Sequence, residues 1–285
     1  MSWRRDAIDE PAHGGSLAKF GHAIQQTVRR FPVSNFKLAR ALRALCILAA
    51  VAAPAIDAFA MTVQPVVLDL QTSGRGMNQV VSVINDSAAP LPVELDVQEF
   101  FISTKGTTST GKDPGDLVIF PPQAMIQPGQ TQVFRVQYVG GAALTGSKHY
   151  HIRVAQLPVS SPKGQSRIQV LYNFVVVASV GPPAAKPAIH VLSTDLGKNE
   201  AGKPVPIVTV TNDSSTYGYL SRGKLRIIEA DQAGKEVFRQ TLSGPELQQL
   251  LGMGLIGSGQ KRQFILPLVL PAEGRSVVAQ FTPGV

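Results

Sequence analysis

Cysteine is nearly absent from this sequence. The chain has a single one, Cys46, inside an apolar stretch near the N-terminus. One thiol excludes an internal disulfide and any zinc site built from several thiolates. Aromatic residues are scarce, at 6%, and charged residues make up only 16%. The formal net charge is +8, but the first sixty residues hold eight Lys/Arg against four Asp/Glu, leaving about +4 for the rest. No Arg/Lys run with interleaved aromatics follows residue 60, so the composition does not point to nucleic acid. The longest apolar run, 44–56, is too short for a helix spanning a bilayer, which needs roughly 20 residues. Glycine and proline are plentiful, 26 and 21 residues, and β-branched residues are common. That balance predicts many short strands joined by turns.

The apolar run has the context of an export signal. It follows a basic segment, Lys37-Leu-Ala-Arg-Ala-Leu-Arg43, and ends in Ala58-Phe59-Ala60, small residues at the positions a signal peptidase reads. Residues 1–60 are therefore expected to be a leader and signal peptide, with no membrane span in the mature form.

Two short patterns recur in the remainder. Val81-Ser-Val-Ile-Asn-Asp-Ser87 returns as Val208-Thr-Val-Thr-Asn-Asp-Ser214, and Ile126-Gln-Pro-Gly-Gln-Thr-Gln-Val-Phe134 as Ile256-Gly-Ser-Gly-Gln-Lys-Arg-Gln-Phe264. The order is kept, which predicts two related β domains in tandem. Between them Gly181-Pro-Pro-Ala-Ala-Lys-Pro187 cannot sit in a central strand, because proline lacks the ladder donor. The expected domains are 62–181 and 188–283. The first offers seven strands (63–70, 79–85, 91–102, 117–120, 131–138, 149–157 and 167–180), the count of an immunoglobulin-like sandwich. The second offers six strands and a helical turn at 245–251.

Motifs for catalysis do not accumulate. Gly106-Thr-Thr-Ser-Thr-Gly-Lys-Asp113 nearly matches the phosphate loop G-x-x-x-x-G-K-S/T. Aspartate replaces the magnesium-binding hydroxyl and Pro114-Gly115 replaces the helix start, so it reads as a loop tip. His149 and His151 share a strand face but lack a third ligand, and read as surface positions. No catalytic, metal or cofactor-binding residue emerges.

The last strand of the first domain is different. In Arg167-Ile-Gln-Val-Leu-Tyr-Asn-Phe-Val-Val-Val-Ala-Ser-Val180, residues Ile168, Val170, Tyr172, Phe174 and Val176 line one face, and the other face is apolar towards its end. Either this is a central strand buried on both sides, or an edge strand kept apolar for a partner.

The run Leu117-Val-Ile-Phe-Pro-Pro-Gln-Ala-Met-Ile-Gln-Pro-Gly129, continued by Arg135-Val-Gln-Tyr138 and by Tyr150-His-Ile-Arg-Val-Ala-Gln-Leu-Pro-Val159, resembles the periplasmic chaperones of the chaperone–usher pilus pathway. Asn85 and the Val180-Gly-Pro-Pro183 exit fit the same pattern. The resemblance implies an all-β protein, two immunoglobulin-like β-sandwiches set in an L. It implies a non-enzymatic role in the periplasm, with pilus or fimbrial subunits and an outer-membrane usher as partners, and no cofactor. A subunit lacking its final strand would be completed by a strand lent from the chaperone (both the sandwich and this donation are known for such chaperones). The lending residues would be Ile168, Val170, Tyr172 and Phe174. Better-known members clamp the subunit's C-terminal carboxylate with an Arg in the first strand and a Lys in the last. Here Val63-Gln-Pro-Val-Val-Leu-Asp69 has no Arg and Val175-Val-Val-Ala-Ser179 no Lys, and the 172–183 segment is closer to the archaic branch serving spore-coat-U-like subunits. Arg135, Arg153 and Arg167 are candidate substitutes. A rival reading is a secreted structural or adhesive protein with two immunoglobulin-like domains.

Overall fold

The structure, a computed structural model, describes residues 61–159, 170–271 and 276–284. Alternation of apolar and polar residues builds two β-sandwiches in succession. The first contains β1 (Met61–Gln64), β2 (Val67–Gln71), β3 (Asn78–Asn85), β4 (Leu91–Ser103), β5 (Gly106–Ser109), β6 (Leu117–Phe120), β7 (Gln123–Ile126), β8 (Thr131–Tyr138), β9 (Lys148–Gln156) and β10 (Asn173–Gly181). One sheet has the order β1-β3-β8-β6; the facing sheet has the order β2-β10-β9-β4-β5, with β7 also on β4. The period of two puts Val81, Val83, Phe134 and Val136 of one sheet against Leu95, Ile152, Val154 and Val176 of the other.

The second sandwich contains β11 (Ile189–Lys198), β12 (Pro204–Asn212), β13 (Gly218–Tyr219), β14 (Gly223–Ala230), β15 (Glu236–Leu242), α1 (Gly244–Leu251), β16 (Leu255–Ile256), β17 (Lys261–Ile265) and β18 (Ser276–Pro283). Its sheets are β11-β12-β17 and β15-β14-β18, with the short pair β13-β16. Ser243 and Glu246 close a capping box that starts α1, and Leu247 inserts from it into the core.

The sequence repeat has a structural cause. Asn85 and Asn212 are both fully buried at strand ends. The Asn85 side chain donates to the carbonyls of Ala89 (2.8 Å) and Ile126 (2.9 Å) and accepts from Ser87. Asn212 does the same with Thr216, Ile256 and Gly257, and accepts from Ser214. Val81 faces Phe134 across β3 and β8, and Val208 faces Phe264 across β12 and β17. Each repeat is thus one strand, its asparagine-held turn, and the strand that pairs with it.

Two expectations are corrected. The strand expected at 63–70 is two strands in opposite sheets, because Pro65 supplies no ladder donor and breaks the first before the second begins. The fourteen-residue strand expected at 167–180 starts, among the described residues, at Asn173. Residues 170–172 precede it, joined to β9 only through Gln156, whose backbone N–H donates to the Tyr172 carbonyl (2.9 Å).

Candidate functional site: an open strand rim and the cleft beside it

β10 is paired on one edge along its length with β9, Asn173 opposite Ala155 through Val180 opposite Lys148. On the other edge β2 pairs with it in parallel, but only from Val177 to Gly181. Among the described residues no strand covers that edge at Asn173–Val176. The Val177 N–H donates to the Val66 carbonyl, so Val177 points its peptide groups to the β2 side. By the two-residue period Val175 and Asn173 point theirs the same way, into open space.

The side chains follow the matching gradient. Val176, Ala178 and Val180 are fully buried in the molecule's own core, and Phe174 is half-buried against it. Beyond it, Tyr172 is 38% and Val170 64% exposed. The core face of β10 therefore runs off the end of the sandwich as an apolar track beside an unpaired backbone. Val175, on the opposite face, is 49% exposed. Of the four predicted contact residues, Val170, Tyr172 and Phe174 lie on this track; Ile168 lies outside the described residues.

The predicted basic residues are not gathered here. Arg135 is exposed on the outer face of the other sheet, in register with Val80 and Phe120. Arg153 is in register with Val175 but faces outward, and its guanidinium holds Asp96 of β4 (Nη2 to Oδ2 2.6 Å). Arg167 lies outside the described residues.

The inner end of the rim meets a joint between the sandwiches. Phe100 and Ile102 of β4 pack on Tyr219 and Leu255, with Val67, Val177, Tyr217 and Met253 around them. Asp69 of β2 accepts from the hydroxyls of Tyr217 and Tyr219, both at 2.9 Å, and pairs with Arg222. The Ser258 N–H donates to Ser147 Oγ (2.9 Å), and the Gln263 N–H to the Thr104 carbonyl (2.7 Å). Gly181 allows the close approach: a Cβ there would lie 2.3 Å from Thr216 Oγ1.

This joint overturns the surface reading of the histidines. His149 is buried, its ring nitrogens set against Ser179 Oγ (2.9 Å) and Ser147 Oγ (3.1 Å), its edge towards Tyr217. Burial pushes its pKa down to about 4. His151 stacks on Phe100, ring centroids 4.1 Å apart, and burial lowers its pKa as well. The second sandwich packs over the face they share.

Between the sandwiches, next to the last paired step of β2 and β10, lies a cavity of about 220 Å³. Val67 and Val177, direct partners in the sheet, form one wall with His151 and Phe100; Tyr219 and Arg262 come from the second sandwich. Arg262 donates from Nη1 to the Leu255 carbonyl (2.6 Å) and lies over the Phe264 ring. Sequence reasoning missed it. The available signal was parity: Arg262 falls on the same strand face as Phe264 and so had to lie at the edge of a core.

Residues 60–176 match the family described as pili and flagellar-assembly chaperones, PapD N-terminal domain. The match covers the first sandwich as far as Val176 of β10. No curated protein matches the sequence. Among solved structures it is similar to a chain of the CsuC–CsuE chaperone–tip adhesion subunit complex of Acinetobacter baumannii, 11% identical over 79% of this chain and 94% of that one, TM-score 0.47. It is also similar to a chain of the Salmonella enterica SafA pilin–SafB chaperone complex (15%, 80% and 98%, TM-score 0.46) and to the E. coli chaperone DraB (16%, 80% and 97%, TM-score 0.41). The cleft lies at the inner end of the open rim of β10, where β2 begins to pair at Val177.

Proposed function

We propose that the protein holds pilus or fimbrial subunits in the periplasm by lending them β10, and passes them to an outer-membrane usher. The observation that carries this reading is the open edge at Asn173–Val176 beside a core face that continues past the sandwich through Phe174, Tyr172 and Val170. A subunit missing a strand needs both parts, apolar side chains to fill a groove and free peptide groups to complete a ladder. Phe174 already packs on this molecule, so fresh burial comes mainly from Tyr172 and Val170, each contributing about 1.5–3 kcal/mol. Ladder bonds to Asn173 and Val175 add about 0.5–1.5 kcal/mol each, and association takes part of the total back. The net is a hold that another strand can displace. Export to the periplasm is supported by the basic, apolar, small-residue order of residues 37–60.

Val175→Pro tests the reading with little disturbance to the host sandwich. The Val175 N–H faces the open edge, so proline removes a donor from the guest side and leaves the ladder to β9 intact. Co-expressed with a secreted pilus subunit, the wild type should co-purify with it, and Val175→Pro and the pair Val170→Glu, Tyr172→Glu should not. Unchanged circular dichroism would show that the variants fold. A folded variant that still retains the subunit would place the contact away from β10, and a wild type that retains none would leave the secreted structural or adhesive protein as the better account.

A further inference from the structure

At its outer end the rim runs past the last strand pair of β10 and β9, and one side chain carries it there. The ladder between these strands ends with Asn173 opposite Ala155. One step further out, Gln156 faces Tyr172. At such a step of a regular antiparallel ladder the two residues exchange both N–H···O=C bonds. Here the backbone makes only one of them. The Gln156 N–H donates to the Tyr172 carbonyl (2.9 Å), but the Tyr172 N–H donates to the Gln156 side chain, at Oε1 (3.2 Å). The side-chain amide oxygen stands in for the backbone carbonyl of its own residue. Nothing further along this side can do the same. The Leu157 N–H is turned away to the Pro92 carbonyl (2.9 Å), and the continued register would set Val170 against Pro158, which has no N–H to give.

We propose that Gln156 is a positioning residue for strand lending: its side chain keeps residues 171 and 172 extended before a guest arrives. The proposal rests on the strand-lending reading and adds how the outer end of the lent strand is set. Parity fixes what this rung presents. Tyr172 turns its peptide groups to β9, as Phe174 and Val176 do, so Leu171 turns its own to the side that Asn173 and Val175 face. Held in this way, Leu171 lines up with Asn173 and Val175 for a guest ladder, and the Tyr172 side chain stays on the apolar face beside Phe174. Without the rung, Tyr172 and Leu171 lie beyond the last pair of β9 and sample many conformations. Each docking would then have to order them, and the apparent affinity would fall with the fraction of time they spend extended.

The test has two readouts on the exported protein. Without any guest, amide hydrogen exchange followed by NMR should show the Tyr172 N–H protected in the wild type and in Gln156→Glu, which keeps an acceptor at the same place, and unprotected in Gln156→Ala. With a short fluorescent peptide alternating valine and threonine as the guest strand, fluorescence polarisation should show Gln156→Ala binding about fivefold more weakly than the wild type. Gln156→Glu should restore most of that loss. A Tyr172 N–H already unprotected in the wild type, or peptide affinity unchanged in Gln156→Ala, would overturn the role of Gln156. Strand lending would still stand if Val175→Pro abolishes peptide binding. A wild type that binds no peptide would remove both.

Discussion

Acidification should strain this protein at one identifiable point. His149 lies in the joint between the sandwiches, 3% exposed, with Ser179 and Ser147 at its two nitrogens and Phe100 and Tyr217 against its ring. Either serine hydroxyl can accept from a protonated ring, so the penalty is the burial of charge rather than a lost hydrogen bond. In the folded state the pKa is depressed from 6.5 to about 4. The unfolded chain therefore binds the proton first, and folding stability is full above pH 6.5 and falls as the pH drops towards 4. At ~1.4 kcal/mol per pH unit the loss through this one group reaches about 3 kcal/mol. Urea denaturation followed by circular dichroism, at steps from pH 7 to pH 4, should show that loss in the wild type. His149→Gln can still bond to Ser179 without titrating, and its stability should fall by about 3 kcal/mol less over the same interval. The carboxylates respond alike in both proteins and cancel in the difference. Identical pH slopes for the two, or an NMR titration of His149 centred near its ordinary value, would refute the reasoning.

Asn85→Ala and Asn212→Ala should each cost about 2–3 kcal/mol in urea melts, because several buried backbone groups lose their partner at once; lying in different sandwiches, the two losses should add. Asp69→Ala takes the acceptor from two tyrosine hydroxyls and the partner from Arg222, and should cost about 2 kcal/mol. Calorimetry should show one unfolding transition in the wild type and two in Asp69→Ala, as the joint weakens. Asp116 is pushed up by burial, but hydrogen bonds from Lys148 and Tyr150 outweigh this and hold it below its ordinary range. Its contribution is present above that range and lost on acidification, so Asp116→Asn should flatten the acid limb of the stability curve below about pH 4.

Much of the fold was legible because it rests on local rules. The repeated Asn-Asp-Ser turn marked equivalent strands in two sandwiches, since a buried asparagine serving several backbone groups tolerates few substitutes. The Pro-Pro and Pro-Gly signals bounded β6 and β8, while the short β7 between them was not expected. The site was legible only in part. The alternation at Val170, Tyr172 and Phe174 pointed to the rim, but which edge lies open depends on where β2 begins to pair, a relation between residues about a hundred positions apart. Sequence separation also hid the joint: nothing near His149 in the sequence shows that Tyr217 covers it. Arg262 is the clearest case, a charge whose setting is made by Val67, Val177 and Phe100 of the other sandwich.

Pro65 has a mechanical consequence. Because it divides one stretch of chain into β1 and β2, that stretch stitches the two sheets of the first sandwich together: β1 is anchored to β3 in one, β2 to β10 in the other. Load applied to the outer residues of β10 meets a strand gripped on both flanks from Val177 inward, and one of those grips is tethered to the opposite sheet. A guest strand held there, as proposed, would peel away one residue at a time while the strand that carried it stays seated.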